Sequence, residues 1–194
     1  GSDSIGIGSN LNFEDDGPSI VVAKTADAAD SLTVDETDFA IDATGVDFSD
    51  NFTSTPNAGA DGQASVSSAY VLSVVAATDS GLVDTLSGEA VLLRMAADGV
   101  TVEGYTATSG DVVFTVGVTA STGLVSLDQS RSVVHTDSND HDSSISLSSD
   151  AISLTRTDTI TDGDGDTNTG SDSIGIGSNL NFEDDGPSIV VAKT

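Results

Sequence analysis

The sequence predicts an all-β protein, a β-sandwich of short strands joined by tight turns. Three observations carry this expectation. Alternating β-branched runs recur along the 194 residues, separated by Gly, Asn, Asp and Ser, which is the pattern of strands and turns. Helical periodicity is hard to find. The acids are 27 Asp against 5 Glu, and Asp is a poor helix former that suits turns and caps. The apolar strands and a mean hydropathy of +0.02 argue against a disordered acidic tail.

The elements follow in order. "SIVVAK" (Ser19–Lys24) and "SLTVDE" (Ser31–Glu36) read as strands. "TDFAIDATGVDFSDNFTSTPNAGADG" (Thr37–Gly62) has a weaker pattern and reads as a long connection with one short strand or 3₁₀ turn. "ASVSSAYVLSVVAAT" (Ala64–Thr78) is a strand candidate. Glu89–Ala107 and Asp111–Ser130 each read as a hairpin, with Ala97-Asp98-Gly99 and Ser121-Thr122-Gly123 as turns. Ser144–Thr161 and Ser171–Glu183 flank an aspartate run and read as the two arms of a final hairpin. Leu147–Ala151 is read as a short helical turn capped by Ser148 or Ser149.

One string organises the chain. "GSDSIGIGSNLNFEDDGPSIVVAKT" spans Gly1–Thr25 and again Gly170–Thr194, so the period is 170 − 1 = 169 residues. Such identity is the mark of a tandem array. The expected organisation is 1–17 as the terminal strand and linker of a preceding repeat, 18–185 as one complete repeat, and 186–194 as the first strand of a following one. Residues 1–13 duplicate 170–182, the strand expected to close the domain. The first copy is therefore expected to be frayed, to pack as an extra edge, or to swap with a neighbour of an otherwise monomeric chain.

Composition bounds the function. Five basic and 32 acidic residues give a net charge of −27. That field repels nucleic acid and anionic membranes, and unscreened it opposes compaction. No apolar run approaches the roughly 18 residues of a membrane span. There is no cysteine, so disulfides and thiolate metal sites are excluded. A divalent cation is the simplest remedy for the charge, and an extracellular protein without disulfides gains a staple from calcium.

Three acidic segments are candidate calcium sites. In "TDGDGDTNTGSDS" (Thr161–Ser173), Asp162, Asp164 and Asp166 alternate with glycines, so three hard oxygen ligands converge on a backbone free to curl. The match to an EF-hand is partial: the sixth and twelfth positions hold Thr167 and Ser173 in place of Gly and Glu. At the duplicated joint, Glu14, Asp15 and Asp16 precede Gly17-Pro18, and Glu183, Asp184 and Asp185 precede Gly186-Pro187. Proline stiffens this segment, and three carboxylates there suit an ion held between neighbouring domains. "HTDSNDHDS" (His135–Ser143) contributes Asp137, Asn139 and Asp142 in part of a calcium-loop spacing. The alternative for each is a solvated polar turn. "VDETD" (Val34–Asp38) and "GADG" (Gly59–Gly62) are further possible sites, better read as turns. His135 and His141 are the only histidines, and with carboxylates they are a conceivable zinc pair. No strand–nucleophile–helix motif such as G-x-S-x-G is present, so no enzyme is expected.

In chain order, "FEDDGPSI", "LSGEAVLL", "VTVEGYTATSGDVVFTV", "VVHTDSNDHDSSISL" and "TDGDGDT" closely resemble the large repeats of giant RTX adhesins, the type I secretion repeat domains. The resemblance runs from about Pro18 to Asp185. It implies immunoglobulin-like β-sandwiches strung end to end, with calcium at joints and loops. Such a string holds a distal ligand-binding region away from a bacterial surface, for attachment and biofilm formation. The partners implied are neighbouring near-identical repeats of the same secreted chain. A ligand-binding module for glycan or host protein is the alternative of another class. The scarcity of aromatics counts against sugar stacking.

Overall fold

The computed structural model describes residues 1–8, 11–12, 14–26, 30–137 and 140–186. Of the expected features, Asn139 and nearly all of the 186–194 segment lie outside these. Among the described residues fourteen strands form: β1 (Ser19–Lys24), β2 (Leu32–Asp35), β3 (Ala43–Asp47), β4 (Phe52–Asn57), β5 (Gln63–Ser73), β6 (Thr78–Val83) and β7 (Ala90–Met95) lead. They are followed by β8 (Val102–Thr106), β9 (Val112–Val118), β10 (Leu124–Gln129), β11 (Ser144–Ser146), β12 (Ser153–Asp162), β13 (Thr167–Gly175) and β14 (Leu180–Glu183). Among the described residues there is no α-helix, only 3₁₀ turns at Ser49–Asn51 and Gly177–Asn179. No helix is long and apolar enough to cross a membrane.

The strands make four sheets: β3-β10-β9-β8-β7-β6, β13-β12-β5, β11-β14-β2 and β1-β4. All pairings are antiparallel except β14 with β2. Period-two burial drives them together. Val22 of β1, Leu32 and Val34 of β2, Leu72 of β5, Leu93 of β7, Phe114 of β9 and Phe182 of β14 join one apolar cluster. Phe114 and Phe182 meet with ring centroids 5.1 Å apart, which ties the six-stranded sheet to the closing strand.

Three expectations are corrected. The last two segments do not form one long hairpin. Only β12 and β13 pair, from Ser153↔Gly175 to Thr161↔Thr167, while β11 pairs with β14 in a different sheet. The break in the first arm is a turn in which Ala151 N–H donates to the Ser148 carbonyl, with no helix and no serine cap. Leu147, Ala151 and Ile152 are buried there, so the chain changes sheets without leaving the core. The second arm breaks at the Gly177–Asn179 turn. The Thr37–Gly62 connection holds two strands, β3 and β4, besides its 3₁₀ turn. β3 buries no side chain fully and β4 only Phe52, so neither shows a clear alternation. Pro56 also suits β4 to its position with a single partner.

The closing position belongs to the second copy of the duplicated string. Ile176 and Leu180 are fully buried, whereas their first-copy equivalents Ile7 and Leu11 are each 59% exposed. Residues 1–7 form no strand.

Candidate metal sites

The aspartate run becomes the tip of the β12–β13 hairpin. Gly165 takes a positive φ of 106° there, and a Cβ at Gly163 would strike the carbonyl of Asp61. These two glycines therefore allow the tip to turn and to lie against the segment that follows β4. β1 runs alongside β13 in the same direction, with Gly170 against Ile20 and with the Lys24 N–H donating to Asp172 Oδ2 at 2.8 Å. That places the residues just before β1 at the hairpin tip.

The result is one acidic cluster from three segments. Ligand-type oxygens of Asp162, Asp164 and Asp166 lie within 4.8 Å of one another, and so do those of Asp15, Asp61 and Asp164. Asp162 is the buried member. Its Oδ1 accepts from Gly165 N–H at 3.1 Å and Asp166 N–H at 2.8 Å. Its Oδ2 is buried and meets no N–H or neutral hydroxyl donor. A cation is one partner that would satisfy that oxygen. Burial opposes ionisation of Asp162, but the hydrogen bonds from Asp164, Asp166 and Gly165 outweigh it and hold its pKa below the ordinary value. Asp164 is pushed up, first by the hydrogen bond it shares with Asp162. Asp15 is pushed up too, first by its hydrogen bond with the Asp166 side chain, then by desolvation and by the charges of Asp166 and Asp162.

Asp16 is held beside this cluster, its two oxygens accepting from Ala60 N–H at 3.2 and 3.1 Å. Glu14 is exposed. The three arginines serve elsewhere. Arg131 grips the buried Asp84 through Nε at 2.8 Å and Nη2 at 2.9 Å, holding that carboxyl well below the usual range. Arg156 holds Asp158 in the same fork, and Arg94 pairs with Glu103. None of these three cations is paired with the cluster.

An all-oxygen set of hard carboxylates, one with an orphaned buried oxygen, fits calcium, which takes six to eight oxygens. The sequence separates the joint from the loop, and the fold joins Asp15 to Asp162, Asp164 and Asp166. Asp61 comes from the "GADG" segment read as a turn. Its acid was visible in the sequence, but its proximity to residue 164 is purely tertiary.

The second joint has a different environment. Glu183 is in β14, paired with Ser144, and its carbonyl accepts from Glu36 N–H at 3.0 Å. Asp184 groups with Glu36 and His135, their ligand-type atoms within 4.8 Å of one another. Asp185 is exposed and lines the adjoining cleft. Among the described residues, Glu14, Asp16, Glu183, Asp185, Asp137 and Asp142 fall in no three-residue metal-compatible group. Asp137 and Asp142 are exposed in the turn after His135. There the Asp137 carbonyl accepts from Asp140 N–H at 3.3 Å, and Asp142 N–H donates to Asp140 Oδ1 at 3.2 Å.

No curated protein and no solved structure matches the chain. A family model does match, over residues 31–175, a span that contains Glu36, Asp61, His135 and the hairpin tip but neither copy of the joint. The chain belongs to the family described as Domain of unknown function (DUF5801).

Proposed function

We propose that this domain is a calcium-stabilised, non-catalytic extender repeat of a secreted, surface-anchored bacterial RTX adhesin. In this reading it is an immunoglobulin-like β-sandwich that spaces a distal ligand-binding region from the cell surface for adhesion and biofilm formation. Its partners are the neighbouring repeats of its own chain. Antiparallel sheets around one apolar core support the sandwich arrangement.

One observation carries the proposal. Asp15 and Asp184 are the same residue of the repeat, since 15 + 169 = 184. In the first copy this aspartate meets the acidic cluster of the domain that follows it. In the second copy it meets Glu36 and His135 of the domain that precedes it. A joint residue with partners on both sides suits a stiff connection between consecutive domains. Calcium held by Asp15, Asp61, Asp162, Asp164 and Asp166 would supply charge neutralisation, fastening the segment before β1 to the hairpin tip. The domain's own residues position the carboxylates through the Gly165 and Asp166 N–H groups and keep competing arginines away.

Small-angle scattering of a chain with two consecutive repeats tests this reading. The expected maximal dimension in calcium is that of two domains end to end, contracting when a chelator is added. Identical scattering curves in the two conditions would overturn it.

A further inference from the structure

We propose that Glu36, His135 and Asp184 form a site for a divalent transition-metal ion of the zinc class, separate from the calcium cluster and independent of the extender reading. The side chains of His135 and Glu36 are only 4% and 2% exposed. Both ring nitrogens of His135 are buried and neither has a hydrogen-bond partner. A buried imidazole with two unsatisfied nitrogens is costly unless something occupies the space it faces. His135 Nε2 lies 3.5 Å from Glu36 Oε1. That is long for a hydrogen bond, and it sets the imidazole beside the Glu36 carboxylate, with one ligand-type atom each of Glu36, His135 and Asp184 within 4.8 Å of one another.

The donor set is one imidazole and two carboxylates, and imidazole favours zinc-class ions over calcium. One oxygen of Glu36 is already held, Gln129 Nε2 donating to Oε1 at 2.9 Å and Val133 N–H at 2.7 Å. These bonds fix the carboxylate, the kind of support that metal ligands receive, and leave Oε2 for an ion. Asp184 is anchored by its own N–H, which donates to the Ser143 carbonyl at 3.1 Å. A cleft of about 240 Å³, lined by Glu36, Ser132, His135, Asp184 and Asp185, opens beside the three residues. It provides an entry path and room for water in the remaining coordination positions. The sequence hides this site because Glu36 and His135 lie 135 − 36 = 99 residues apart.

The test is zinc titration of the whole chain in excess calcium, which occupies the all-oxygen sites, followed by calorimetry and by nitrogen NMR of the imidazoles. One equivalent of zinc is expected to bind and to shift the His135 ring resonances, leaving those of the exposed His141 unmoved. His135→Ala is expected to weaken that event at least about 10-fold, since loss of even an outer-shell partner costs that much. Asp162→Asn is expected to leave it unchanged. If His135→Ala does not fold, the resonances of the unaltered protein decide. An unmoved His135, a shift confined to His141, or zinc binding unaffected by His135→Ala would overturn the proposal.

Discussion

The two copies of the duplicated string have the same sequence and opposite circumstances. In the second copy, Gly170, Gly175 and Gly177 sit where a Cβ would press on backbone carbonyls of Ile20, Ser149 and Ser148. Their counterparts Gly1, Gly6 and Gly8 have nothing within 4 Å of such an atom. Ile176 is fully buried while Ile7 is exposed. At the joint the order reverses in chemical character: Asp15 enters an all-carboxylate cluster, and Asp184 faces an imidazole. The lesson is that one string meets two different surroundings in the same fold. Its glycines and Ile176 are packed only in the second copy, and its aspartate has different partners in each.

Paired substitutions at equivalent positions break that comparison most sharply. Ile176→Ala is expected to cost about 2–5 kcal/mol in chemical denaturation, the usual range for emptying a core site. Ile7→Ala is expected to stay within about 0.5 kcal/mol, as for exposed positions. Equal losses would mean that both copies pack. Arg131→Ala is expected to lower the denaturation midpoint by leaving the buried Asp84 with only its Ser87 hydrogen bonds. It provides a control for general sensitivity away from either joint.

The acids give the next effect. Calcium at a hundredfold excess over its Kd is expected to stabilise the chain by about 2.7 kcal/mol, raising Tm by roughly 5–10 °C. Asp15→Asn is expected to remove much of that rise, whereas Asp184→Asn retains it. Melting curves in calcium and in chelator distinguish the two, and equal loss would erase the contrast between the joints.

The smallest effect is the pH dependence of the calcium-free protein. Asp15 and Asp164 have raised pKa values in the fold. Their contribution is complete below the ordinary value of 3.8 and is lost as pH rises through the raised folded value. Asp162 is depressed, so its contribution exists above 3.8 and is lost as pH falls through its folded value. Asp164→Asn is therefore expected to raise the urea midpoint in chelator at neutral pH. A lower midpoint would show that the Asp164 carboxylate is not strained by its neighbours.

Legibility in the sequence followed the strength of local pattern. β1 and β2 were plain from their alternation, and the hairpins β7–β8 and β9–β10 from alternation together with the turn glycines Gly99 and Gly123. β3, β4 and β6 were not, since "ATGVD", "FTSTPN" and "TDSGLV" carry too few alternating apolar residues. The division of the last two arms between sheets was hidden as well. Nothing local announces that Ile145 pairs with Phe182 while Leu154 pairs with Ile174. The acids of the hairpin tip and the joints were legible as residues but not as partners. Glu36, Asp61 and His135 gain their meaning only from contacts across the fold.

The most direct test of the central claim is calcium titration by calorimetry on the unaltered chain and on Asp162→Asn. The account predicts calcium binding in the first and loss of that event in the second. Calcium binding that survives Asp162→Asn, or no binding at all, would contradict it.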